Sequence, residues 1–336
     1  MFRMIPFSIL DLSSISAGST PGQSLHNSLD LAQHAEALGY KRFWMAEHHG
    51  MRSVASAATA VALAHVAAGT KTIRVGAGGV MLPNHSPLIV AEQFGTLSAL
   101  HPGRIDLGLG RAPGSDQIVA RALRRNLDSD PNQFPNDVLE LQAYFAGDER
   151  IVRAVPGAGE NVPLYILGSS LYGAQIAAAL GLPYAFASHF APQMMEEAIR
   201  IYRRDFQPSE QLDKPYVMLA YNVFGADTDE EAAFLASSME QAFVALRTGT
   251  PREIQPPVEG YRDSLPLQQR AMLEQVLSAT AIGNVDTVTK LIGDFIARHK
   301  PDEMILAGQF FDPDKRKRSF EIAMEARARI GEMATV

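Results

Sequence analysis

Residues 72–111 read TIRVGAGGVMLPNHSPLIVAEQFGTLSALHPGRIDLGLGR, a strand, a helix and a second strand with little chain to spare between them. Ile73, Val75 and Ala77 alternate as one face of a strand does, and the run breaks into Gly78 and Gly79. A backbone without Cβ atoms can turn sharply there or approach another molecule closely. Ser86 and Pro87 suit a helix start, because the N–H that proline lacks would have had no partner in the first turn. Val90, Phe94, Leu97 and His101 fall on one helix face, and Pro102-Gly103 ends the element. Residues 104–109 return as a strand, with Gly108, Gly110 and Arg111 at its end. Strands joined by a helix run parallel, with their C-terminal ends on the same side of the sheet. Two glycine-rich ends side by side are where an α/β protein builds a site.

The same alternation runs through the whole chain. Strands are expected at residues 5–10, 42–46, 162–167, 183–187, 217–224 and 303–307 in addition to the two above, with helices at 23–38, 56–68, 172–180, 192–206, 229–247, 267–278, 285–298 and 315–330. Eight strands alternating with helices predict an α/β fold, a (β/α)8 TIM barrel, whose minimal form needs about 250 residues. The remainder of the 336 falls into insertions after strands four and seven. The first runs through residues 112–117, a short helix near 117–125, an Asp/Asn/Pro stretch at 126–136 and a helix at 138–145. The second, residues 249–266, carries Pro251, Pro256, Pro257, Gly260 and Pro266 and reads as a mobile lid without regular structure. One domain over residues 1–336 is expected. A doubly wound open sheet would need a dinucleotide fingerprint. Gly108-Leu109-Gly110 is followed by Pro113, and Gly76-Ala77-Gly78 by Met81, where the third glycine should stand.

Charge and cysteine content narrow the partners. Thirty basic against 37 acidic residues give a net charge of −7, which disfavours nucleic acid or an anionic membrane. The absence of cysteine excludes disulfides, thiolate metal sites and thiol catalysis, and fits a reducing compartment. Pro6 and Asp11 interrupt the first apolar run, and the Ala-rich run at 54–68 is too short for a bilayer span. A cytoplasmic protein is expected.

Glu47-His48-His49 follows the second strand, at the end that faces the mouth of a barrel. Adjacent strand residues point to opposite sides, so one histidine is expected at the mouth and the other in a supporting turn; the two cannot share a metal through a simple strand. Imidazole titrates near neutrality, which favours a chemical role, although histidines in turns also simply tie neighbouring loops together. Arg111 and the pair Ser169-Ser170 fall at adjacent strand ends, the serines at a helix start. Guanidinium, hydroxyls and helix N–H groups together describe an anion or phosphate cradle. Lys315, Arg316, Lys317 and Arg318 read as a solvated helix face. Neither a serine-hydrolase elbow nor a metal-binding HExxH spacing appears in the sequence.

Taken jointly, EHH, VGAGGVMLPNHSPLIVAEQ with GRIDLGLGR, and LGSSLYGAQIAAALGLP resemble the luciferase-like flavin-dependent monooxygenases, the family of the bacterial luciferase α subunit. The resemblance runs in order over nearly the whole chain, and is nearer to the uncharacterised luciferase-like monooxygenases than to a light-emitting enzyme. It implies reduced FMN at the strand C-termini. A non-prolyl cis peptide behind the flavin is implied at Gly78-Gly79, with Ala77 beside it. The phosphate arginine falls on Arg111 and the phosphate serine on Ser169, with Ser170 and Tyr172 at the helix start, and the histidine implicated in catalysis falls on His48. Where luciferase has a reactive cysteine this chain has Gly110, and residues 249–266 match the family's mobile loop.

The expected function is monooxygenation of a small organic substrate with O2 and reduced FMN, the latter supplied by a separate NAD(P)H:flavin reductase. Hydride transfer with the deazaflavin F420 and non-catalytic flavin binding are the alternatives. Asp11, His189 and Phe190 are expected as loop residues lining the substrate pocket. A homodimer is expected through the Ala-rich helix at 56–68, with Ala60 and Ala64 at the contact and the helix starting at Pro87 beside it.

Overall fold

The computed structural model describes residues 4–111, 117–123, 133–148 and 152–333. Residues 112–116 and 124–132, which carry much of the expected first insertion, lie outside the described residues. Among the described residues nine strands form one parallel sheet: β1 (Phe7–Asp11), β2 (Arg42–Met45), β3 (Arg74–Met81), β4 (Ile105–Gly110), β5 (Leu164–Gly168), β6 (Tyr184–Phe186), β7 (Val217–Gly225), β8 (Thr280–Gly283) and β9 (Glu303–Ala307). Hydrogen-bonded neighbours run from β1 through β7 in order, then to β9 and back to β1, so eight strands close a barrel.

The strand absent from the sequence reading is β8. Residues 218–222 of β7 pair with β9, and residues 222–225 continue past the barrel rim to pair with β8. Four residues between two helices carry too short a period-2 signal to stand out.

Helices cover the outside: α1 (Pro21–Leu38), α2 (Thr59–Gly69), α3 (Pro87–Leu100), α4 (Gln117–Leu123), α5 (Phe134–Ala146), α6 (Leu171–Ala179), α7 (Met195–Asp205), α8 (Asp229–Arg247), α9 (Tyr261–Ser264), α10 (Leu267–Leu277), α11 (Val285–His299) and α12 (Pro313–Met333). The start of α2 is later than expected because Ser56 is used otherwise. Its hydroxyl donates to the carbonyls of Ala46 (2.6 Å) and Leu12 (3.1 Å), tying the loop to two strand ends. Within residues 249–266 the single turn of α9 fits between the prolines, so the segment is not without regular structure.

Strand alternation sends one face of each strand toward the helices and the other into the barrel. Ile9, Phe43, Val75 and Leu107 join the helix-side core, whereas Leu10, Trp44, Tyr165, Met218 and Ile305 fill the interior. Neighbouring strands are the reason β3 offers glycine inside. A Cβ on Gly76 would lie 2.5 Å from the Asp106 carbonyl oxygen and 2.9 Å from Trp44 Nε1, and one on Gly78 would lie 2.8 Å from Leu10 Cδ1 and 3.0 Å from the Trp44 ring.

At the N-terminal ends of the strands the interior is sealed by paired charge. Arg42, 2% exposed, donates from Nε to Glu303 (2.7 Å) and from Nη1 to Asp106 (2.7 Å) and the Tyr165 hydroxyl (2.8 Å). Lys41 and Tyr216 complete Glu303 at 2.9 and 2.7 Å, and Trp44 Nε1 donates to Asp106 at 3.1 Å. Charges leave water this completely only when each has a partner. Among the described residues no helix is long and apolar enough to cross a membrane.

Candidate active site

A cavity of about 550 Å³ opens at the other end of the barrel, where the strand C-termini meet their loops. That size falls within the range of about 300–1,000 Å³ usual for small-molecule and cofactor sites. His48, Gly78, Gly79, Arg111, Ser169, Ser170, Tyr172, His189 and Phe190 all contribute to its wall. Going round the rim, β2 supplies His48, β3 the two glycines, β4 Arg111 and β5 the serines.

Two expected residues lie elsewhere, and strand parity explains both. Ala77, fully buried, shares the outer face of β3 with Val75 and packs in the helix-side core. Asp11 is the last residue of β1 rather than a loop residue, and continues the outer series of Phe7 and Ile9. It accepts a hydrogen bond from Ser28 on α1 at 2.5 Å and pairs with Arg316 at 2.8 Å.

The peptide between Gly78 and Gly79 is cis. Both residues sit tight against their neighbours: a Cβ on Gly79 would lie 2.6 Å from the Gly108 carbonyl oxygen. Here β3 slips register against β4, between Ala77 and Val80, leaving bare backbone at the cavity. Gly110 is different. A Cβ there would meet the Val80 carbonyl oxygen at 3.8 Å, an ordinary contact, so the space beside it is open.

Beyond β4, the Arg111 guanidinium lies over the Tyr172 ring, 4.1 Å from its centroid. Ser170 caps α6 in extended conformation without a side-chain hydrogen bond to the helix, and Ser169 and Ser170 are both exposed. Free helix N–H groups, two hydroxyls and a stacked guanidinium therefore converge, a donor set suited to an anion.

The Glu-His-His run lies beyond the end of β2; Glu47 and His48 both border the cavity, and His49 lies beside Glu47. Sequence reading did not foresee that His85, at the end of the turn after β3, joins them. Glu47, 2% exposed, accepts from Nε2 of His49 and of His85, both at 2.8 Å, and from the Met81 N–H at 3.2 Å. Burial pushes the Glu47 carboxyl up, but the hydrogen bond and charge of His85, then His49 and the Met81 amide, outweigh it and hold it below the usual carboxylate range. The three side chains bring potential metal-ligand atoms within 4.8 Å of one another. Their 2.8 Å separations are those of donors and an acceptor, so Glu47 fastens the end of β2 to the end of β3.

His189, after β6, faces the same cavity. Burial, then the neighbouring His48, pushes its imidazole down to about 4, so it is neutral at physiological pH. Its Nδ1 is enclosed and has no hydrogen-bond partner among the described residues.

The remaining wall is largely apolar, with Met239, Phe243 and Leu246 from α8 and Pro251 and Arg252 from the 249–266 segment. That segment is held at several points. Ile254, fully buried, exchanges backbone hydrogen bonds with Ile15 (2.9 Å) and Ala17 (2.8 Å), and Arg262 Nε donates to the buried Glu240 at 2.6 Å. Arg316 was expected on a solvated helix face; its side chain is 12% exposed and forms part of the cavity wall. The basic run hid it, because successive helix residues are rotated by about 100° and only one of the four turns inward.

The luciferase-like monooxygenase family profile matches residues 5–298. A protein of Escherichia coli (strain K12) described as a luciferase-like monooxygenase is 49% identical over 327 residues, 97% of this chain and 98% of that one. The crystal structure of apo-MsnO8 superposes with a TM-score of 0.85 at 32% identity, covering 96% and 98% of the two chains. The oxygenating constituent of 3,6-diketocamphane monooxygenase from the CAM plasmid of Pseudomonas putida, in complex with FMN, shares the fold with a TM-score of 0.72 at 17% identity, over 97% and 98%.

Proposed function

The chain belongs to the luciferase-like monooxygenase family, and we propose that it is an FMN-dependent oxygenase that takes reduced FMN from a separate NAD(P)H:flavin reductase and uses O2 to oxidise a small organic substrate. One observation carries the reading: a single cavity collects His48, the bare Gly78-Gly79 backbone, Arg111, Ser169, Ser170 and Tyr172. The FMN of the 3,6-diketocamphane relative is the precedent for the choice of cofactor.

The residues fit a planar group that carries a phosphate. Arg111, Ser169, Ser170 and the first N–H groups of α6 would hold the phosphate, and Tyr172 keeps the guanidinium in place from behind. Gly78 and Gly79 would offer backbone with no side chain in the way of the ring. When bound, reduced flavin supplies the electrons that activate O2. His48 presents its imidazole to the same space and would hand a proton to or from the reacting oxygen. Residues 249–266 and α8 close the side of the cavity with Pro251, Met239, Phe243 and Leu246 and would keep water from it, the segment opening as a lid for exchange.

Anaerobic titration with FMNH2, followed by rapid mixing with O2, tests the proposal. The protein should bind FMNH2 and change the course of its reoxidation. Binding of F420 in preference to FMN would favour hydride transfer instead, and binding without any effect on the oxygen reaction would leave a flavin carrier.

A further inference from the structure

Arg316 stands in the first turn of α12, where the positive end of the helix dipole opposes a cation, and its side chain is withdrawn from water. Compensation comes from the other side of the barrel wall. Oδ1 of the wholly buried Asp11 lies 2.8 Å from Arg316 Nη1, and Ser28 occupies the second carboxylate oxygen. One carboxylate does not exhaust a guanidinium with five N–H donors. Its Nε and Asp11 Oδ1 are both enclosed without a hydrogen-bond partner among the described residues, so the ion pair at 2.8 Å is a charge contact, and it is the rest of the guanidinium that forms part of the cavity wall.

The other charges around the cavity make the imbalance larger. Among the described residues Glu47 is the carboxylate on its wall, and two histidines already share it. Arg111 and Arg252 add positive charge; the first belongs to the anion cradle at β4 and β5, and the second is exposed. Arg316 is therefore a shielded cation facing a space whose remaining wall is largely apolar, with Leu12, Met239 and Phe243, and is otherwise lined by the uncharged polar side chains of Ser14, Ser53, Asn222 and Gln309. An apolar molecule with one negative end meets both conditions, whereas a neutral one would leave the guanidinium facing hydrocarbon.

We propose that Arg316 docks the carboxylate of the substrate, and that the substrate class is an apolar organic acid. This rests on the cavity being the shared flavin and substrate site described above, with Arg111 assigned to the cofactor phosphate.

Calorimetric titration with three probes of similar size, octanoate, methyl octanoate and 1-octanol, tests it on both the flavin-free and the FMN-loaded protein. Octanoate should bind at least about tenfold more tightly than the ester or the alcohol, the range set by one charged hydrogen bond. Arg316→Gln should abolish that preference and Arg316→Lys should retain part of it, with FMN affinity unchanged in both. Should Arg316→Gln fail to fold for want of a partner for Asp11, the double variant Asp11→Asn/Arg316→Gln removes both buried charges and must show the same loss of preference. Equal binding of acid and ester by the parent overturns the proposal, as does a preference that survives in Arg316→Gln or in the double variant. A preference lost instead on adding FMN or in Arg111→Ala also overturns it, because octanoate would then sit in the phosphate cradle. Failure of the parent to bind FMN would count against the flavin reading alone, since octanoate against ester is read on flavin-free protein as well.

Discussion

The Arg111 guanidinium and the Tyr172 ring are stacked at 4.1 Å, joining the end of β4 to the start of α6 across the cavity rim. A guanidinium backed by an aromatic face is held in orientation before any ligand arrives, so less freedom is lost on binding. Removal of a charged donor costs about 1.5–3 kcal/mol, a weakening of roughly tenfold to over a hundredfold. Arg111→Ala is therefore expected to weaken FMN binding by that factor, and Ser169→Ala by less. Fluorescence titration with FMN measures both. Unchanged affinity in the two variants would mean the phosphate lies elsewhere.

His48 and His49 should separate by kind of effect. His48 faces the cavity, and general acid–base assistance is worth roughly 10²–10⁴-fold in rate, so His48→Ala should bind flavin normally while consuming O2 with release of H2O2 in place of product. His49→Ala removes one of the donors to the buried Glu47 and should lower unfolding stability by about 1.5–3 kcal/mol. Oxygen-electrode assays beside denaturant melts distinguish the two. Equal, small effects on turnover would reduce the Glu-His-His run to a structural turn.

Glu36 gives the fold a definite acid response. Burial pushes its carboxyl up, but the backbone N–H groups of Thr72, Ile73 and Lys71 and the Thr72 hydroxyl together hold it down at about 2. A carboxyl whose folded pKa lies below its unfolded value of 4.5 stabilises fully above pH 4.5 and loses that contribution as pH falls toward about 2. Glu36→Gln should therefore be less stable than the parent at pH 7, and the gap should narrow progressively below pH 4.5. Urea unfolding across that range checks the sign; a gap that widens on acidification would contradict it.

The proposed homodimer gains a more specific surface. Ala60 and Ala64, the expected contact residues, are half-buried against the protein's own core. On the outer faces of α2 and α3, Val61 is 71% exposed, Ile89 50% and Leu100 66%. Exposed apolar side chains on two helices that pack against each other suit a second copy of the chain. Val61→Lys, or Ile89→Lys, should shift sedimentation equilibrium toward monomer, and a monomeric parent at micromolar concentration would refute the dimer.

The order of elements, and the end of the barrel at which the candidate site stands, can be read from residues close together in the chain. Ile73, Val75 and Ala77 alternate, glycines close β3 and β4, and each of those signals is local, because period and turn chemistry are properties of neighbouring residues. The rim residues His48, Arg111, Ser169 and Tyr172 were legible for the same reason: each follows a recognisable strand, and parallel topology puts all such ends together. Other features depend on contacts between residues far apart in the chain. Glu47 meets His85 across 38 positions, and Arg316 meets Asp11 from the opposite end of the chain. Parity also moved Asp11 and Ala77 to the outer face, since a one-residue difference in where a strand begins reverses which side chains face the cavity. Which member of a basic or histidine run turns inward is settled by the partner waiting there, and that partner is brought into place only when the barrel closes.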